Sequence, residues 1–232
     1  MFLEINPDYQ FLKDFVLSLP QTFGTEGTVL YKVRNEVRLI EVAGIKVVVK
    51  KFKVPHLINR FAYSYIRKSK ARRSYEYAMM LKQNGFGTAD PIACMEFKQG
   101  GLLADSYLIT LHCPYSRDFN EFRETPLNGR ENILCDFAQF TARLHEKGIR
   151  HLDYGGGNIM FEQTDNGTEF CLIDINRMAF GKVGIEKGCE NFKLLYMLDD
   201  SFHFLAEEYA KARGFDTEKC FELIKPHIRK NG

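Results

Sequence analysis

Residues 28–54 carry the apolar, β-branched pattern of extended strands. Thr28–Lys32 is β-rich, and Glu36–Val42 and Ile45–Phe52 flank the short turn Ala43-Gly44, which predicts a hairpin. The valines of Lys46-Val47-Val48-Val49-Lys50-Lys51-Phe52 are strongly strand-forming, because branched side chains pack well on a pleated surface. The period then changes. Residues 69–83 read as a helix, with Ser69 as its cap and Ala71, Tyr75 and Ala78 at helical spacing. Asn84-Gly85 ends it, and Pro91 follows. Two more strands are predicted around 92–97 and 106–112, with Gly100-Gly101 between them.

Beyond about residue 120 the pattern turns helical: Ile133, Phe137, Phe140 and Leu144 recur three or four positions apart. Gly148 breaks that helix just before His151. Residues 159–161 and 170–174 read as two short strands around Asp165-Asn166-Gly167. Leu195, Leu198, Phe202, Leu205 and Tyr209 form one stripe of a helical tail. The change of character near 113–120 predicts an α+β chain. A small antiparallel β lobe with one helix spans 28–115, a mainly α-helical lobe spans 116–232, and 1–27 form an N-terminal extension.

Composition narrows the class. With 232 residues, 45% of them hydrophobic and 20 of them Phe, the chain has ample material for a core. A net charge of +2 argues against a protein that binds polyanions with its whole surface, and no nucleic-acid module is visible, so nucleic acid is not an expected partner. The six cysteines, at 94, 113, 135, 171, 189 and 220, show no CxxC spacing and read as reduced thiols of a cytoplasmic protein rather than a zinc site. The N-terminus lacks a basic signal-peptide region, and its apolar stretch 11–19 is interrupted by Lys13 and Asp14. No run reaches the length of a membrane span, so the chain is expected to be cytoplasmic and at most peripheral on a membrane.

The chemistry is concentrated in His151-Leu152-Asp153-Tyr154-Gly155-Gly156-Gly157-Asn158 and in Cys171-Leu172-Ile173-Asp174-Ile175-Asn176. Taken singly, Asp153 reads as a turn aspartate, Asn158 as a polar residue after glycines and Asp174 as a strand end. Their joint spacing has no such ordinary reading. Phosphoryl transfer from magnesium-bound ATP needs a base that orients the acceptor hydroxyl, here Asp153, and hard oxygen ligands for the metal, here Asn158 and Asp174. Manganese is the alternative ion. A hairpin brings Asn158 and Asp174 to the same end. His151 serves as a structural histidine that orients the loop.

Lys50 is the candidate for the ATP phosphates. A buried strand lysine requires a counter-charge, and Glu76 on the following helix is the expected partner. Alternation puts Lys50 on the face of Val48 and Phe52, and the competing Lys51 on that of Val47 and Val49. The stretch from Arg60 to Arg73 holds Arg60, Arg67, Lys68, Lys70, Arg72 and Arg73 without an acid, interleaved with Tyr63 and Tyr65. It reads either as a solvated helix face or as a contact surface for anionic substrate or lipid headgroups.

Together, His151-Leu152-Asp153 with Asn158, Asp174, the Val-Val-Val-Lys50 register and Glu76 resemble the protein-kinase-like fold. More narrowly the chain resembles the bacterial lipopolysaccharide-core sugar kinases, the Kdo and heptose kinase family. The resemblance extends to Leu144-His145-Glu146-Lys147-Gly148-Ile149, Ser69-Lys70-Ala71-Arg72-Arg73-Ser74-Tyr75-Glu76 and Thr88-Ala89-Asp90-Pro91-Ile92, and covers roughly 28–210. It implies ATP and magnesium as cofactors. The implied acceptor is a lipid A or lipopolysaccharide-core sugar, first of all 3-deoxy-manno-octulosonic acid (Kdo), met at the inner face of the cytoplasmic membrane. Two departures stand out. Val33-Arg34-Asn35-Glu36-Val37 lacks a Gly-rich phosphate loop, and Gly24 and Gly27 lie upstream of it. Leu152 replaces the catalytic-loop arginine, and no Ala-Pro-Glu follows Asp174, which argues against a regulated protein kinase. The rival readings are a kinase with a protein Ser/Thr or small-molecule acceptor, and a pseudokinase scaffold.

Overall fold

A six-stranded antiparallel sheet, in the order β1-β5-β6-β4-β3-β2, organises the N-terminal part of the chain. The computed structural model describes residues 1–54 and 56–225, and for 57–59 the backbone alone. The strands are β1 (Phe2–Ile5), β2 (Thr28–Lys32), β3 (Glu36–Val42), β4 (Ile45–Phe52), β5 (Pro91–Gln99) and β6 (Leu102–Leu111). The β-branched run at 46–52 becomes the inner strand β4, hydrogen-bonded on both sides, with Lys50 opposite Val37 on β3 and Leu108 on β6. Three helices accompany the sheet: α1 (Lys13–Thr22), α2 (Leu57–Tyr65) and α3 (Lys70–Gln83). The expected helix is α3. Ser69 caps it, its Oγ accepting the Arg72 amide at 3.2 Å.

Helices α1 and α2 and strand β1 are additions to the sequence expectation. Residues 1–27, read there as an extension, supply an edge strand paired with β5 and one wall of the core. Leu12, Val16, Leu19 and Phe23 recur at helical spacing and join Val47, Val49, Tyr107 and Ile109 in one buried cluster. Phe23 meets Tyr107 edge-on at 5.7 Å. The turn between α1 and β2 is fixed by Arg38, a buried cation on β3. Its guanidinium donates to the carbonyls of Glu26 and Gly24 at 2.9 and 3.0 Å and to the Glu36 carboxylate. Gly27 has φ +70°, and a Cβ there would lie 2.3 Å from the Leu39 carbonyl oxygen. Gly27 thus shapes this turn, and Gly24 supplies it a carbonyl.

The chain divides into two compact units: Met1–Gln83 with Ala89–Cys113, and Asn84–Thr88 with Pro114–Gly232. The second is mainly helical, with α4 (Glu131–Glu146), α5 (Ile185–Glu190), α6 (Asp199–Arg213) and α7 (Thr217–Ile224). Its strands are short: β7 (Arg117–Asp118), β8 (Ile149–His151), β9 (Ile159–Thr164), β10 (Gly167–Leu172) and β11 (Met178–Phe180). β9 and β10 form the predicted hairpin, β7 pairs with β9, and β8 with β11. Residues 84–88 join this unit because the Thr88 hydroxyl and the Gly87 carbonyl bond the Leu172 backbone at 2.7 and 2.9 Å.

The abundance of phenylalanine is explained here. Phe119, Phe122, Phe137 and Phe161 are fully buried, with Phe119 4.1 Å from Phe137 between ring centroids. Phe137 also stacks on Tyr154 of the His151 loop, whose hydroxyl bonds Thr141 on α4. The helix that precedes the loop therefore also supports it from below. All six cysteines are free thiols, and Cys94, Cys171, Cys189 and Cys220 are buried.

His145 on α4 is almost fully buried, its Nδ1 2.8 Å from the Tyr209 hydroxyl, which accepts from Arg213. Burial, aided by the charges of Arg213 and Arg150, lowers its pKa from 6.5 to about 3. Below about pH 6.5 the unfolded chain takes up a proton that the folded chain refuses until about pH 3. Stability from this group is therefore full above pH 6.5 and declines as pH falls, by up to about 1.4 kcal/mol per pH unit. Urea unfolding at about pH 7 and about pH 5 checks this. His145→Gln should flatten the decline by one proton, and an unchanged slope would remove the burial account.

Candidate active site

The His151 loop begins where β8 ends, and its backbone is bonded at nearly every step. The Leu152 amide donates to the Arg177 carbonyl, Gly155 to Asp153, and Asn158 to Gly155, all within 2.9 Å. Inside this loop the His151 imidazole makes two bonds. Its Nδ1 accepts the Asp153 amide at 3.0 Å, and its Nε2 lies 3.1 Å from the Ile173 carbonyl. The ring is therefore neutral with its proton on Nε2. Burial lowers its pKa, against the opposing pull of the Ile173 carbonyl and of Asp153 and Asp174. Asn191 donates to the His151 carbonyl at 3.3 Å and holds the loop from α5's end.

Asp153, Asn158 and Asp174 converge in the second unit. The Asn158 Nδ2 donates to the Asp153 carbonyl at 2.8 Å, which orients the amide and identifies its other terminal atom as the oxygen, an acceptor that could serve a metal. The Ile173 amide donates to the Asn158 carbonyl at 3.0 Å, one step beyond the last register pair, Leu172 with Ile159. Asn158 and Asp174 thus sit at one end of the β9–β10 hairpin. Asp174 has φ +51°, a left-handed turn that takes its carboxylate out of the strand path, and Asn176 donates to its Oδ1 at 2.6 Å. An amide oxygen and an exposed carboxylate are hard donors of the kind magnesium takes, completed by phosphates and water. The donor set fits that ion.

The three glycines of the loop differ. At Gly156 a Cβ would lie 2.6 Å from the Asn120 amide nitrogen, so only glycine admits the strand-end segment behind it. Asn120 is itself fixed by Asp118, which accepts its amide at 2.8 Å.

Lys50 and Lys51 belong to the first unit, on opposite faces of β4. Lys51 Nζ is 3.2 Å from Asp105 and lies over the Tyr107 ring. Lys50 Nζ lies over the Phe52 ring at 5.2 Å. Among the described residues Glu76 pairs with Lys68 at 2.7 Å and Arg72 at 3.0 Å. Those two lie eight and four positions before it on or beside the same helix, so little chain must be ordered to bring them together.

The basic stretch is likewise less uniform than its sequence suggests. Arg60 donates to the Leu103 carbonyl, Arg67 stacks on Tyr63, and Arg72 lies over the Phe2 ring. Arg73 is partly buried, with its Nε inside the protein, and Lys70 is half-buried. Arg67 and Lys68 remain exposed, beside exposed Phe61, Tyr65 and Ile66.

Sequence reasoning assigned no role to Arg177, Asn176, Asn191 or Asn120. Asn176 and Arg177 stand two and three positions after Asp174, a nearness that signals them. Asn120 and Asn191 lie far along the chain, and only the fold brings them in. Arg177 Nη1 lies 3.7 Å from Asp153 Oδ2.

Residues 33–199 match the Lipopolysaccharide kinase (Kdo/WaaP) family. The 3-deoxy-D-manno-octulosonic acid kinase of Pasteurella multocida (strain Pm70) is 27% identical over 144 residues. That match spans 60% of this chain and 58% of that kinase, less than two thirds of its length. Among solved structures, WaaP in complex with acyl carrier protein is similar with a TM-score of 0.68 at 14% identity, over 97% of each chain. The fold is α+β and protein-kinase-like, as the loop motif led one to expect.

The packing at Asn120 distinguishes two neighbouring glycines. Gly156→Ala should cost about 1–3 kcal/mol in urea unfolding, because backbone must move. Gly157→Ala meets only the Asn120 side-chain nitrogen, at 3.1 Å, and should cost clearly less. Equal losses would contradict the close approach.

Proposed function

Because the chain belongs to the lipopolysaccharide kinase (Kdo/WaaP) family, we propose that it is an ATP- and magnesium-dependent phosphotransferase acting on an inner-core lipopolysaccharide sugar. The acceptor proposed is Kdo on a lipid A precursor. The observation that carries the reading is that Asn158 bonds Asp153 while His151 ties the Asp153 amide to the Ile173 carbonyl, next to Asp174. The similarity to a Pasteurella multocida kinase of that acid supports the choice of acceptor.

In this reading Asp153 receives the acceptor hydroxyl, aligns it and takes its proton. The Asn158 amide oxygen and the Asp174 carboxylate hold the metal. When bound, magnesium neutralises charge on the phosphates and fixes their orientation. Lys50 is assigned to the phosphates over Lys51 for its place after the valine run, in the Ala-Ile-Lys register of kinases. Glu76 is held by Lys68 and Arg72, so its proposed role beside Lys50 depends on release from them. The β2–β3 turn would have to meet the nucleotide phosphates without a Gly-rich loop. Its ends are fixed by the Lys32–Glu36 ion pair and by Asn35, which accepts the Lys53 amide. Rate enhancement then comes from positioning and charge neutralisation.

Transfer of labelled γ-phosphate from ATP to Kdo-capped lipid A precursor tests the reading. Asp153→Asn keeps the shape of the side chain and removes the base, so turnover should fall by about 10²–10⁴-fold. Label that stays on water while hydrolysis remains Asp153-dependent would keep the kinase and discard the acceptor. No turnover, and no thermal shift with nucleotide, would favour the scaffold reading.

Peripheral membrane contact is part of the proposal. Among the described residues no helix is long and apolar enough to cross a membrane. Exposed Phe61, Tyr65 and Ile66 beside Arg67 and Lys68 combine apolar and cationic groups as interfacial segments do. Each basic group near an anionic surface contributes about 1 kcal/mol. Co-sedimentation with phosphatidylglycerol-containing vesicles should fall on Arg67→Glu with Lys68→Glu, and again on Ile66→Asp. Unchanged sedimentation would remove this surface from the account.

A further inference from the structure

We propose that Arg177 forms, beside Asp153, an acceptor subsite for a carboxylate group. The inference rests on the sugar-kinase reading and names what that site selects. β11 begins opposite His151, and the Leu152 amide donates to the Arg177 carbonyl at 2.8 Å. Those bonds pin the Arg177 backbone next to the residue that precedes the base. From there Nη1 reaches back to within 3.7 Å of Asp153 Oδ2. This is a single approach, longer than a charge-assisted hydrogen bond. A guanidinium carries five N–H donors in a fork that matches a carboxylate bidentately. Among the described residues Asp153 is the ion-pair partner of Arg177, and the arginine side chain is 59% exposed. The adjacent Asn176 is turned the other way, to Asp174.

A cation that serves no core contact is therefore held where the acceptor has to arrive. As a structural clamp it is poorly made, since exposed pairs of this kind contribute little to stability. As a subsite it solves an electrostatic problem. The base must be anionic, and an acidic acceptor brings a second negative charge beside it. A guanidinium between the two carboxylates offsets that repulsion. With acceptor bound, Arg177 exchanges its long contact with Asp153 for the acceptor's carboxylate, and Asp153 turns to the hydroxyl proton. The ligand class is a sugar acid whose carboxylate lies near the hydroxyl to be phosphorylated. A neutral sugar leaves the fork unfilled.

Steady-state kinetics of the full chain test this with Kdo-capped lipid A precursor and its carboxylate methyl ester, for the unaltered protein, Arg177→Lys and Arg177→Gln. The unaltered protein should prefer the acid. Arg177→Gln should raise KM for the acid about 10- to 100-fold and leave KM for the ester and for ATP within about threefold, erasing the preference. Arg177→Lys should keep part of it, because an ammonium retains the charge without the fork. Equal loss on acid and ester, or a loss confined to the KM for ATP, overturns the subsite. Equal use of acid and ester by the unaltered protein overturns the subsite alone. No transfer to either acceptor overturns the proposed acceptor, and the subsite with it.

Discussion

The His151 imidazole has to be neutral, because Nδ1 accepts the Asp153 amide while Nε2 donates to the Ile173 carbonyl. A protonated ring has two donors and no acceptor, and would release the Asp153 amide. Burial enforces the neutral form by disfavouring the charged one. One side chain thereby ties the loop that carries Asp153 to the strand end that carries Asp174. The Asn158 side chain and the Ile173 amide close the same ring of bonds from the other side. The relative placement of Asp153, Asn158 and Asp174 is set by these few short contacts.

That ring of bonds rests on an aromatic floor. Tyr154 points away from the site, stacked on Phe137 and bonded to Thr141, and Phe119, Phe122 and Phe161 fill the space beneath. Gly156 lets the Asn120 segment press against the loop without a side chain between them. Asn120 and Asn191 therefore matter to the site without sharing its chemistry. Charge is handled differently. Glu76 takes its partners from nearby Lys68 and Arg72, and Lys51 takes Asp105 on the neighbouring strand. These local pairings thin out what the sequence presents as a continuous basic stretch, and Arg67 stays at the surface beside exposed Tyr65 and Ile66.

The site differs from that of a regulated protein kinase in the place of its arginine. Leu152 stands before Asp153 and is 47% exposed, and the guanidinium near Asp153 comes from Arg177, three residues past Asp174. An arginine in that position reaches Asp153 from just before β11, the strand that follows Asp174.

Much of this was legible in the sequence because it is local. Strands β2, β3 and β4 follow from β-branched runs and a two-residue turn, and α3 and α4 from apolar spacing, with Ser69 capping α3. The spacing from Asp153 to Asn158, and the hairpin that returns to Asp174, determined which residues would meet. The stripe of Leu12, Val16, Leu19 and Phe23 was also present in the sequence, but a stripe does not say what it covers. Only the tertiary structure shows that it buries against β4 and β6. The same holds for the charges. Sequence says which side chains are charged, and an ion pair depends on distances of a few ångströms between groups far apart in the chain. Lys51 going to Asp105 and Arg177 to Asp153 were therefore decided by the fold.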